Sequence, residues 1–144
     1  MCIRDSAVSE QPGSAGGGRG SVASALLGMP WAPVIDAALV IVFAALGRAS
    51  HAEQNPVVGA LATAWPFLVG LGLGWGLVRW RSGRWPLTVG NGIPVWASTL
   101  VVGMLLRTVT GLGTAPSFIL VAATVLAVFL LGWRWVAGRV ARLR

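Results

Sequence analysis

"PVVGALATAWPFLVGLGLGWGLV", residues 56 to 78, runs for 23 positions without one charged side chain. A helix of that length rises about 34 Å, enough to cross a hydrocarbon layer about 30 Å thick. This stretch is read as a membrane-spanning helix. Three further runs have the same character: "WAPVIDAALVIVFAALG" (31–47), "PVWASTLVVGMLLRTVTGLG" (94–113) and "PSFILVAATVLAVFLLGWRWV" (116–136). Proline opens or nearly opens each one, at Pro33, Pro56, Pro94 and Pro116, where its missing N–H is harmless. Pro66 falls inside the second run and predicts a kink there, with neighbouring helices shielding the freed carbonyl.

Composition points the same way. Of 144 residues, 56% are apolar and 10% charged, and the mean hydropathy is +0.77. Soluble domains carry about 25% charged residues, so this chain has too little polar surface to clothe a globule. The expected fold is all-α, an integral membrane four-helix bundle. One domain covers residues 31–138, followed by a basic tail at 139–144. Residues 1–30 are rich in Gly, Ser and Ala and read as a disordered tail. Its first six residues, "MCIRDS", read as translated sequencing-adapter sequence rather than native protein.

All eleven basic residues are arginine and eight residues are tryptophan. The net charge of +7 raises nucleic acid as a partner, but the arginines sit in short segments flanking apolar runs. No polar face follows a phosphate backbone, so nucleic acid is not expected. Charge instead sets orientation. The second connection, "RWRSGRWPLTVGNGI" (79–93), holds three arginines, and Arg139, Arg142 and Arg144 close the chain. The connection near 114–115 holds none. The positive-inside rule then predicts both termini on the cytoplasmic side of a prokaryotic plasma membrane. Arg79, Trp80, Arg81, Arg84 and Trp85 read as an interfacial anchor against anionic lipid headgroups. A rival reading, a secretory signal cleaved after "SHA" at 50–52, conflicts with Asp36 inside the apolar core and Arg48 just before the site.

Small residues provide the packing surfaces that helices need in lipid. Gly70 and Gly74 share one face of the second run, and Gly72 and Gly76 lie on roughly the opposite one. A neighbour is therefore expected on each side, and the bundle is expected to oligomerise with copies of itself. Thr99, Gly103, Arg107 and Gly111 recur at spacing four, which turns Arg107 toward protein. "GLGLGWG" lacks the third glycine of a dinucleotide fingerprint at the required offset, and without lysine there is no Walker motif. No cofactor is expected.

Depth along the helices sorts the polar residues. Asp36 lies about 5 Å beyond Pro33 and Arg107 about 20 Å beyond Pro94, a mismatch of about 15 Å. Arg134 lies about 27 Å below Pro116, back near the level of Asp36. Asp36 is therefore expected to pair with Arg134, ahead of an arginine of the second loop. Arg107 falls level with the group in "GRASHAE", namely Arg48, His51 and Glu53. Three readings stand for Arg107: snorkelling to the surface, an ion pair with Glu53, or ligand binding together with Arg48, His51 and Glu53. Cys2 is the only cysteine and His51 the only histidine, so no metal centre is expected. Ser50 beside His51 has no oxyanion site, and no nucleophile, base and orienting group converge. The chain is expected to be non-catalytic, an accessory or scaffold membrane protein, with a small transporter for an anionic or polar solute as the alternative.

"DAALVIVFAALGRASHAE", "TAWPFLVGLGLGW", "GMLLRTVTGLGTAPSFILVA" and "LLGWR" together resemble the prokaryotic membrane family known as domain of unknown function 3054. The resemblance covers about residues 34–136 and rests on Asp36, Gly47, Arg48, His51, Trp65, Pro66, Phe67, Arg107 and Arg134. It implies four spans, and it implies no substrate, cofactor or catalytic residue.

Overall fold

The computed structural model describes residues 31–48 and 55–143. Four helices account for nearly all of them: α1 (Trp31–Arg48), α2 (Pro56–Ser82), α3 (Val89–Val109) and α4 (Pro116–Arg142). All four are long and apolar enough to cross a membrane. They form an all-α bundle in which each helix packs on its neighbours in sequence and α4 closes back onto α1.

The helices begin and end for local reasons. Pro56 and Pro116 stand in the first turns of α2 and α4, where a missing donor leaves nothing unsatisfied. Thr88 caps α3 by accepting the backbone N–H of Asn91 at 3.3 Å. Gly83 ends α2 with φ 63°, a left-handed conformation that a Cβ would oppose. Gly111 (φ 72°) and Gly113 (φ 75°) likewise turn the chain after α3.

Several boundaries differ from the sequence expectation. α2 continues to Ser82 and α3 starts at Val89, so most of the 79–93 segment is helical and the connection is short. Pro94 sits inside α3 rather than at its start. α3 ends at Val109, and α4 runs to Arg142, taking Arg139 and Arg142 into its last turn. α2 runs unbroken through Pro66.

Packing is closest between α2 and α3. A Cβ at Gly70 would lie 2.8 Å from the Ser98 carbonyl oxygen, and one at Gly74 would lie 3.0 Å from the Val95 Cα. That closeness lets the Ser98 hydroxyl donate to the Gly70 carbonyl at 2.9 Å. Gly103 makes room for the Phe67 ring. The expectation of a neighbour on both glycine faces needs correcting, because among the described residues a Cβ at Gly72 or Gly76 would meet nothing within 4 Å. α1 instead meets α2 through Phe67, whose ring stands edge-on to Phe43 at 5.5 Å. Phe118 of α4 completes the trio at 6.4 Å from each. Leu73, Leu105, Leu120 and Val128 point outward, an apolar perimeter suited to lipid rather than water.

Candidate functional site

Asp36 is fully buried, six residues into α1 and surrounded by apolar helix faces. A carboxylate there needs every lone pair engaged. Oδ1 accepts from Arg134 Nη1 at 2.9 Å and from Trp133 Nε1 at 2.7 Å. Oδ2 accepts from Arg134 Nη2 at 2.6 Å and from Trp75 Nε1 at 2.9 Å. The pair is thus a two-pronged fork, the geometry that planar guanidinium and carboxylate groups share.

Arg134 is equally enclosed, with 1% of its surface exposed. Its Nε donates to the Pro86 carbonyl at 2.8 Å, and Nη1 also reaches the Leu130 carbonyl. Its charge lies 4.7 Å from the centre of the Trp133 ring and 5.8 Å from that of Trp75. Gly92 of α3 leaves the lane through which the side chain passes, since a Cβ there would stand 2.8 Å from Arg134 Cδ. Asp36 on α1, Trp75 on α2, Gly92 on α3 and Trp133–Arg134 on α4 therefore form one node, closed on the connection side by Pro86. No buried side-chain nitrogen or oxygen among the described residues lacks a partner. Chemically the node holds both charges fixed, each buried nitrogen and oxygen with at least one partner.

Arg48 and Arg107 lie at the other end of the bundle. Arg48 Nη1 donates to the Thr63 hydroxyl at 3.2 Å, and its guanidinium crosses Gly59, where a Cβ would come 2.5 Å from Nε. Arg107 turns back over the end of its own helix. Nε and Nη2 donate to the Leu112 and Gly113 carbonyls at 3.0–3.3 Å, and the guanidinium lies 4.5 Å from the Phe118 ring centre. Both arginines line one cavity of about 260 Å³. His51 and Glu53 lie outside the described residues, and so does the expected Glu53–Arg107 pair.

The expected interfacial anchor divides in two. Trp80 is 83% exposed and Arg81 and Arg84 are also outward. Trp85 instead folds inward, its ring 5.6 Å from that of Trp75 with Arg79 stacked on it at 4.7 Å. Trp85 roofs the node, so only part of the group turns outward. Sequence reasoning missed the two indole donors, Trp75 and Trp133. The available signal was the adjacency of Trp133 to Arg134, at the depth where Asp36 needs partners.

A family model described as "Protein of unknown function (DUF3054)" matches residues 33–137. The chain belongs to this family. The DUF3054 match takes in all four helices but for the ends of α1 and α4, and with them Asp36, Trp75, Trp133 and Arg134. The description of DUF3054 assigns no function to any of them. No curated protein and no solved structure matches the chain.

Proposed function

We propose that this DUF3054 protein is a non-catalytic accessory or scaffold component of a prokaryotic plasma membrane. The Asp36–Arg134 node carries the reading. An ionisable residue inside a membrane span is by default a candidate for proton or substrate handling. Here the only carboxylate among the described residues accepts four hydrogen bonds and is walled by two indoles, an arrangement that favours tying helices together over moving charge. Solubilising native membranes gently and identifying what leaves with the protein tests this. One membrane protein recovered in fixed ratio is expected, and recovery of this chain alone or only with copies of itself counts against a scaffold.

The transporter reading draws on the cavity between Arg48 and Arg107. The Phe43, Phe67 and Phe118 rings fill the bundle below it, which favours a site without a passage. Saturable solute uptake by vesicles containing only this protein would reverse that preference.

Both ends are proposed to lie in the cytoplasm. Arg79, Arg81 and Arg84 stand at the same end of the bundle as Arg139 and Arg142, which supports that orientation by the positive-inside rule, with anionic headgroups as their lipid partners. A fluorescent protein fused after Arg144 should fluoresce, whereas strong activity of an alkaline phosphatase fused there would refute the orientation.

A further inference from the structure

We propose that the cavity between Arg48 and Arg107 binds an oxyanion, a phosphate group either free in solution or carried by a lipid headgroup. The inference goes beyond the accessory reading, since a scaffold needs no ligand at this end. All four helices contribute to the cavity: Phe43 and Arg48 from α1, Thr63 from α2, Arg107 from α3 and Phe118 from α4. Each cation is held in place before any ligand arrives. Gly59 and the Thr63 hydroxyl fix Arg48, and two turn carbonyls and the Phe118 ring fix Arg107. Preorganised guanidinium forks suit phosphate because less side-chain freedom is lost on binding.

Arg107 also keeps donors to spare. Its Nε and Nη2 serve the turn, and its Nη1 makes no hydrogen bond among the described residues. Charge argues the same way. The chain has four acidic residues. Asp36 is engaged at the opposite end, and Asp5 and Glu10 stand far before Arg48 in the sequence. Glu53 is then the one acid near in sequence, and even counting it, two arginines leave a positive surplus. The phenylalanine trio closes the cavity toward the core, so the anion is held at the bundle's end with water on one side and low-dielectric walls on the other. Those walls strengthen each charge-assisted bond.

The test uses the full chain purified in a maltoside detergent, which itself has no phosphate. Inorganic phosphate is titrated by calorimetry, and in a parallel arm phosphatidylglycerol retention is read by native mass spectrometry. Saturable binding in either arm is expected, and the arm that responds identifies the source. Arg107→Gln should weaken it by at least about tenfold, the scale of one charge-assisted contact. Arg107 also supports the α3–α4 turn, so Gly47→Asp serves as the second variant. Gly47 lines the cavity, and among the described residues a Cβ there meets nothing within 4 Å. A tethered carboxylate should therefore compete with the ligand while leaving the melting temperature at or above that of the parent. Arg81→Gln, at the other end, should change nothing. No saturable binding in either arm overturns the proposal, and so does binding that survives both Arg107→Gln and Gly47→Asp.

Discussion

Asp36→Asn should lower the stability of the protein in detergent by about 3–5 kcal/mol, the loss expected when one partner of a buried ion pair is removed. The amide keeps the shape but loses the charge, leaving the Arg134 guanidinium enclosed without a counter-ion. Nothing else among the described residues next to Arg134 carries a negative charge to replace the one lost. One amide oxygen can still accept two bonds, but the NH2 that replaces the other oxygen meets only donors from Trp and Arg134. Arg134→Gln should be the milder change. It leaves a carboxylate that still accepts from the Trp75 and Trp133 indoles, two donors that remain in place to offset its burial. Thermal unfolding of each variant checks the order. Equal stability of parent and Asp36→Asn would mean that the node contributes nothing.

Gly70→Ala should separate α2 from α3. The added methyl would stand 2.8 Å from the Ser98 carbonyl oxygen and 2.9 Å from both the Cα and the carbonyl oxygen of Thr99. These are backbone atoms that cannot rotate aside, so the helices must move apart. The move stretches the Ser98–Gly70 hydrogen bond and loosens the closest packing in the bundle. Overpacking of this kind costs about 1–3 kcal/mol, and in lipid no hydrophobic drive between helices compensates. Gly72→Ala is the control. It has the same chemistry two residues away on an open face, where the better helix propensity of alanine should leave stability unchanged or raised by up to about 1 kcal/mol. Melting curves showing equal losses at both positions would contradict the packing described.

The contrast between these two glycines shows how far the sequence could be read. Helical periodicity separated Gly70 and Gly74 from Gly72 and Gly76, because that follows from the 3.6-residue turn alone. Which face meets a neighbour does not follow, since it depends on where the other helices stand. The spans were legible because lipid demands long apolar runs. Their ends were less so. Arg79, Arg81, Arg139 and Arg142 read as loop and tail residues, yet helices extend past the hydrocarbon into the polar layer, where arginine is at ease in a last helical turn. Asp36 and Arg134 were matched by rise per residue and are in contact. Trp75 and Trp133 escape a sequence reading, and Trp85 reads only as an anchor, because tryptophan in such a chain reads first as an interface residue. Only the fold shows that their rings and N–H groups turn inward onto a buried charge. The far-end cavity was half legible: Arg48 and Arg107 were placed at one level, while the glycine and threonine seat of Arg48 depends on the α1–α2 approach.

A double-mutant cycle tests most directly whether Asp36 and Arg134 act as one structural unit. Parent, Asp36→Asn, Arg134→Gln and the double variant are unfolded under identical detergent conditions. Residues in one hydrogen-bonded pair couple by about 0.5–3 kcal/mol, and independent sites add within about 0.5 kcal/mol. The double variant should be little worse than Asp36→Asn alone, since the second substitution removes the charge that the first left stranded. Simple addition of the two separate losses would contradict it.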